Sequence, residues 1–384
     1  MRFSTSIAMM LALAFSQSAC ATRSIATSTK EVSMSDLKQQ IADIQKTALM
    51  PGLQVIVTEG QNTIFEYTNG LRAEGFSDLV TPNDKWHIGS CTKPMTAFLI
   101  GRLVDKKLIG WTTTLSEIAP SNYELHPSVK TITVEQLLSH SSGLADVTEP
   151  ENGKLWSTLF AEASQTAKLR ERLVQGILKM PVRFTPGSKS EYSNSGYVVL
   201  GWIAEQLLKK SWEQSLKTEI FEPLQMTCGF GPAGIENPKV PLQPWSHHLE
   251  NDQIQSIPPG VQADNPLALG PAGTVHCSTQ DWRKFLRLFL DEERSKSNLL
   301  TQATYDKLLS NTGDGPYTFS SIGRMERPWA KGAVYAMAGS NTFNYAIVAV
   351  APKLNRILTI NTNAGHAKAE EAVTKILKML TELK

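Results

Sequence analysis

The sequence predicts an α+β protein: an antiparallel sheet flanked by N- and C-terminal helices, interrupted by a mainly helical insertion over roughly residues 91–300. Three observations point there. A helix-period segment and two β-type runs open the folded part of the chain. Two β-type runs and a helix-period segment close it, and helical patterns dominate the stretch between.

In chain order, residues 1–21 read as an export signal: Arg2 gives a basic start, Ile7 to Phe15 an apolar run too short to span a bilayer, and Ala19 and Ala21 a small-x-small cleavage site. Cys20 offers the alternative of a lipid anchor, so the mature protein is expected to be exported, either periplasmic or secreted, or membrane-anchored as a lipoprotein. Residues 22–34, rich in Ser, Thr and Ala, read as a flexible tether, and residues 35–384 as one folded domain. From Ser35, the residues Leu37, Ile41, Ile44 and Leu49 recur at roughly helical spacing. Leu53 to Thr58 and Thr63 to Tyr67 then form a hairpin pattern about Gly60. Helical patterns occupy Thr133 to Leu138, Leu155 to Met180, Gly196 to Lys209 and Thr279 to Glu292, with an irregular Pro-rich stretch from Pro238 to Pro271. Asn344 to Val350 and Arg356 to Asn361 are β-type, and a helix from Ala367 to Leu383 ends the chain.

With 384 residues, 41% of them apolar, the chain can bury a large core. Its 38 basic and 36 acidic residues leave a net charge of +2, which gives no electrostatic footprint for nucleic acid and directs attention to small-molecule partners. Cys91, Cys228 and Cys277 remain after the signal. Cys228 and Cys277 could pair or could stay as separate buried thiols, and no cysteine has metal-ligand spacing. No cofactor or metal is expected. The oligomeric state is not readable from the sequence.

The chemistry is carried by His87-Ile-Gly-Ser90-Cys-Thr-Lys93-Pro94, where a Gly-Ser step opens a helical run. Pro94 fits only near a helix start, which puts Ser90 at the N-terminus, and residues three apart share a face, which brings the Lys93 amine beside the Ser90 hydroxyl. Alone this spacing is weak: Ser35-Asp-Leu-Lys38 matches it too and reads as a helix cap. A second segment, Tyr192-Ser-Asn194, sits on a polar turn before an apolar helix and could offer a phenol and an amide to one cleft.

Together with Leu137-Leu-Ser-His-Ser-Ser-Gly-Leu144, Gly270-Pro-Ala-Gly273 and Ser278-Thr-Gln-Asp281, these blocks resemble, in the expected order, those of the class C β-lactamase and penicillin-binding-protein-like serine hydrolases. The resemblance implies a β-lactamase/transpeptidase-like fold. It implies Ser90 as the nucleophile of an acyl-enzyme, Lys93 and Tyr192 as the pair that moves its proton, and Asn194 as a substrate contact or a partner of Lys93. The third block departs from the family pattern. Where the family has Lys-Thr-Gly or His-x-Gly on an edge strand, this sequence has Met337-Ala-Gly339-Ser340, so the basic residue is lost. Gly339 still permits close backbone approach, and the N–H of Ser340 would join that of Ser90 in an oxyanion hole.

The expected activity is therefore hydrolysis of an ester or amide through Ser90, with a neutral substrate preferred over a β-lactam because Met337 cannot bind a carboxylate. The alternatives are a non-turnover penicillin-binding-like protein and a peptidoglycan D,D-peptidase. Arg324 and Arg327, as potential replacements for the lost cation, read as surface residues. His247 and His248 read as loop residues, His140 as part of a turn, and Cys91 as a buried packing thiol that points away from Ser90.

Overall fold

Residues 33–148, 166–313 and 315–383 are described by a computed structural model; the signal segment, residues 22–32 of the tether and residues 155–165 of the second helical pattern lie outside the described residues. The first helix, α1, runs Met34–Thr47, and Ser33 caps it by accepting a hydrogen bond from the Asp36 N–H. The tether therefore gives way to structure at Ser33, two residues earlier than expected.

Strands β1 (Gly52–Glu59) and β2 (Asn62–Gly70) form the first hairpin, turning at Gly60. At the other end, β8 (Gly323–Arg327), β9 (Gly332–Ser340), β10 (Tyr345–Ala351) and β11 (Arg356–Thr362) follow one another as antiparallel neighbours. β1 pairs antiparallel with β11, Val55 opposite Ile360, so the two ends of the chain close one six-stranded sheet ordered β2-β1-β11-β10-β9-β8. Alternation along the strands separates two apolar cores. Val55, Val57, Ala338, Ile347 and Ile360 pack under α1 and the C-terminal helix Ala367–Thr381. Met337, Val348, Val350 and Ile357 face the helical body on the opposite side.

That body is built on α2 (Lys93–Asp105), whose residues Met95 to Leu103 are buried apart from Arg102. Around it lie α3 (Val134–Leu138), opened by a Thr133/Gln136 capping box, α4 (Thr166–Lys179) and α5 (Asn194–Leu208), which is apolar along most of its length and buried. Arg170 of α4 is fully buried and hydrogen-bonded to Glu205 and Glu213, which ties α4 to α5.

Several expectations are corrected. The Pro238 to Pro271 stretch is not wholly irregular, because it holds a hairpin, β5 (Ser246–Glu250) paired with β6 (Gln253–Ile257). His247 lies within that hairpin, fully buried, its ring nitrogens bonded to the Glu74 N–H and the Asn363 carbonyl, so it is a strand residue that joins segments. The region between residues 91 and 300 also contains β4 (Gly229–Phe230) and β7 (Val275–Ser278), strands of a small sheet with β3 (Lys85–His87). The pattern from Thr279 to Glu292 is not one helix. The α-helix ends at Leu286, a 3₁₀ turn covers Arg287–Phe289, and Leu290 is extended before Asp291–Lys296. Phe285, Leu286, Leu288, Phe289 and Leu290 are all buried, more consecutive apolar contact than one face of a helix presents. Cys228 and Cys277, the pairing left open above, form a disulfide.

Candidate active site

The Ser90 segment departs from a simple helix start. Gly89–Thr92 form a 3₁₀ turn and the α-helix begins at Lys93, with Pro94 in its first turn. Residues i and i+3 eclipse in a 3₁₀ turn, which brings Lys93 directly against Ser90. The Lys93 Nζ lies 3.2 Å from the Ser90 Oγ, and the Tyr192 hydroxyl donates to the same oxygen at 2.7 Å. Ser90, Lys93 and Tyr192 thus meet in one hydrogen-bonded cluster.

Lys93 is fully buried. Its Nζ also donates to the Asn194 Oδ1 at 2.8 Å and to the Ala272 carbonyl at 2.7 Å. Burial pushes its pKa down to about 7, against the opposing pull of the Asp146 carboxylate. Burial acts on Tyr192 in the other direction, holding the phenol well above its ordinary value despite the hydrogen bond to Ser90. At neutral pH the phenol is therefore protonated, while the amine divides between neutral and charged forms.

Local structure fixes these groups. Ser193 caps α5 by accepting from the Gly196 N–H, which sets Asn194 at the first helical position. The Asn194 N–H donates to the Asp146 Oδ2 at 2.7 Å, and the Asp146 Oδ1 takes both the N–H and the hydroxyl of Thr148. His140 does more than complete a turn. It is buried, takes the left-handed conformation (φ 58°), and its ring lies 4.7 Å from that of Tyr192. Its Nδ1 accepts the Ser193 N–H, so its Nε2–H donates to the Ser321 hydroxyl; burial and the nearby Lys93 push its pKa down to about 3 and keep the ring neutral.

The Met337 block is placed by two glycines. Gly89 has φ +50°, and a Cβ there would lie 2.4 Å from the Ser340 nitrogen. At Gly339 a Cβ would lie 2.1 Å from the Ile88 carbonyl oxygen and 2.8 Å from the Ser90 nitrogen. Side chains at either position would part β9 from the turn that carries Ser90. β9 is not an edge strand along its whole length, as expected for the third block: β8 covers it up to Ala336, opposite Gly323, and the pairing ends there. Ser340 thereby lies beside Ser90. Met337 is buried against the helical body, with its carbonyl 3.7 Å from the Cys91 Sγ, so Cys91 points into the core. Arg324 and Arg327 sit on β8, where Arg324 faces Glu326 and Arg327 donates to the Glu326 carbonyl.

A model of the beta-lactamase family matches residues 37–381. The chain belongs to that family. Among its beta-lactamase-family relatives, penicillin-binding protein 4 of Amycolatopsis lactamdurans is 26% identical over 230 residues, which is 60% of this chain and 57% of that protein. The chain thus spans little more than half the length of this relative. The octameric penicillin-binding protein homologue from Pyrococcus abyssi superposes with a TM-score of 0.72 at 21% identity, over 90% of this chain and 77% of that one. The D-amino acid amidase from Ochrobactrum anthropi SV3 superposes with a TM-score of 0.69 at 20% identity, over 90% and 98% respectively. These likenesses show the β-lactamase-type fold.

Sequence reading missed the Ala272 carbonyl, Asp146, and the His87–Asp264 pair described below. Ala272 lies in a block whose resemblance is plain, but a backbone acceptor leaves no side-chain signature.

Proposed function

We propose that this protein is an exported serine hydrolase that forms an acyl-enzyme through Ser90 and hydrolyses a neutral ester or amide. The observation that carries the reading is the placement of one serine oxygen against two buried groups that burial shifts in opposite directions, Lys93 downward and Tyr192 upward. Neutral Lys93 takes the Ser90 proton as Oγ attacks the carbonyl carbon, and the resulting oxyanion sits between the N–H groups of Ser90 and Ser340. As the tetrahedral intermediate collapses, Tyr192 gives its proton to the departing alcohol or amine and is reprotonated from Lys93. Water then releases the acyl group with the same two residues acting in reverse.

Preference for a neutral substrate rests on Met337, an apolar residue where the family's cation would meet a carboxylate, and on the engagement of Arg324 and Arg327 along their own strand. The fold shared with a D-amino acid amidase agrees with an amide. Export is supported by the basic and apolar character of residues 1–21 and by the Cys228–Cys277 bridge, which suits an oxidising compartment.

The test is fluorophosphonate labelling of the mature protein, mapped by mass spectrometry beside Ser90→Ala, followed by p-nitrophenyl esters, D-amino-acid amides and nitrocefin. Label on Ser90 that is lost in the variant, with ester or amide turnover exceeding that of nitrocefin, supports the reading. A folded protein that takes no label overturns it.

A further inference from the structure

Beyond the groups that face the substrate, one buried carboxylate ties together both backbone walls of the proposed oxyanion hole. The Asp264 Oδ2 accepts from the His87 Nε2–H at 2.8 Å, and the His87 Nδ1 in turn accepts the Gly89 N–H at 3.1 Å, one residue before Ser90. Through its other oxygen, Asp264 accepts from the Asn341 Nδ2 at 2.8 Å, one residue after Ser340, and from the Asn265 N–H at 2.7 Å. The Asn341 Oδ1 takes the N–H groups of Phe343 and Asn344, which fixes the turn out of β9. Asp264, His87 and Asn341 are 5%, 6% and 2% exposed, so water cannot replace these bonds without opening the fold.

We infer that Asp264 is a positioning residue that holds the Ser90 and Ser340 N–H groups at the spacing an oxyanion needs, acting through His87 on one wall and Asn341 on the other. The inference rests on the acyl-enzyme reading of Ser90. Gly89 is one of the two glycines at which the walls approach too closely for a Cβ, and its left-handed turn is held by a side-chain acceptor, the His87 Nδ1. That nitrogen is an acceptor only while the ring proton is on Nε2, and the Asp264 carboxylate is what keeps it there.

The hydrogen-bond inventory makes Asp264→Asn informative. An amide at 264 either turns its NH₂ toward the His87 Nε2, forcing the proton onto Nδ1 against the Gly89 N–H, or turns it toward the two donors of Asn341 and Asn265. A donor clash follows in either case, one at the Gly89 N–H in the first and two at Asn341 and Asn265 in the second. His87→Asn offers the Gly89 N–H its own acceptor two residues back, in an Asx-type turn, without help from residue 264. His87→Phe fills the ring's volume and offers none.

The experiment measures kcat and KM for p-nitrophenyl butyrate, with thermal unfolding of each variant. Asp264→Asn is expected to lower kcat by about 10- to 100-fold with KM within about two-fold, part of the effect of deleting one oxyanion donor outright. His87→Asn should retain at least about ten times the kcat of His87→Phe, and in the His87→Asn background Asp264→Asn should cost less than about three-fold. Equal kcat in His87→Asn and His87→Phe, or the full Asp264→Asn loss persisting in the His87→Asn background, overturns the assignment. If Asp264→Asn alone does not fold, the His87 comparison still decides. Absence of Ser90-dependent turnover in the parent protein would instead sink the acyl-enzyme reading.

Discussion

The Lys93 amine and the Ser90 hydroxyl stand 3.2 Å apart, with two other directions of the amine taken by the Asn194 and Ala272 carbonyl oxygens. A neutral amine has two N–H bonds and one lone pair. With both N–H bonds spent on carbonyls, the lone pair faces Ser90. The arrangement is that of a base awaiting a proton, and it holds only while Lys93 is uncharged. Ester kcat/KM should accordingly rise with pH through a limb centred at about 7. Asp146 raises the Lys93 pKa, so Asp146→Asn should move the limb to lower pH, as read from the pH–rate profile. A shift upward or none at all would show that Lys93 is not the titrating group.

The same depression has a stability consequence with a definite sign. Between about 7 and the ordinary lysine value of 10.5 the unfolded chain binds a proton that the folded chain does not, so Lys93 contributes a stability that rises with pH across that window. Below it, burial of the charge opposes folding in full. Lys93→Met keeps an unbranched chain and removes the charge. It should abolish turnover while leaving the protein at least as stable as the parent at pH 6, measured by urea unfolding. A large loss of stability at pH 6 would mean that the hydrogen bonds of Lys93 outweigh its desolvation.

Tyr192 is the proton donor of the scheme, held between Ser90 and the His140 ring. Tyr192→Phe keeps the stack and deletes the hydroxyl. It should lower kcat by about 10²- to 10⁴-fold, more for an amide than for a p-nitrophenyl ester, because an amine departs only when protonated. Equal losses on both substrates would remove Tyr192 from the leaving-group step.

Much of this site could be read in the sequence because side-chain identity carried it. Ser90 and Lys93 stand three residues apart in one block and Tyr192 lies in a second block 102 residues after Ser90, and the residue types of those blocks name all three; the terminal strands are legible from alternation and β-branched runs. What stayed hidden depends on backbone or on tertiary partners. Strand β9 contains Gly332, Ala333, Ala336 and Ala338, whose small side chains give a weak alternating signal, and it forms because β10 offers an open edge, with β8 then adding to β9. Asp264 lies in a Pro-rich run with no periodicity, and its importance comes from His87 and Asn341, 177 and 77 residues away in sequence. The hairpin at Ser246–Glu250 was hidden by flanking prolines, although its Asn251-Asp252 turn, both residues at positive φ, is a standard hairpin signal that the Pro-rich context masked.

The Cys228–Cys277 disulfide closes a loop with a sequence separation of 49 residues, spanning the inserted hairpin and the Gly270–Gly273 turn that carries the Ala272 carbonyl. Loop-closure entropy for that length puts its contribution at about 4 kcal/mol. Replacing both cysteines with serine, or reducing the bridge, should lower unfolding stability by about 2–4 kcal/mol by urea titration. Because Ala272 holds Lys93, activity should fall at temperatures where the folded fraction is still complete. Unchanged stability under reductant would mean that the two thiols are separate in solution.

Met337 gives the sharpest test of substrate class. Its side chain lies on the face of β9 turned toward the helical body, two residues before Gly339, and it is buried. Met337→Lys preserves length and lack of branching and adds an ammonium group next to the proposed oxyanion wall. Its stability cost should be about 1–3 kcal/mol, since the new charge is partly desolvated. Two electrostatic effects follow with opposite signs for the two substrate types. A substrate carboxylate gains a charge-assisted partner, so nitrocefin kcat/KM should rise at least about ten-fold. A neutral ester gains nothing, while the added cation further disfavours charged Lys93 and should move the ester pH limb downward. If nitrocefin turnover stays unchanged in a folded, ester-active Met337→Lys protein, residue 337 does not meet the substrate and preference must be set elsewhere along the cleft. If the parent protein already turns nitrocefin over as fast as an ester, the loss of the cation at 337 has not excluded carboxylate substrates.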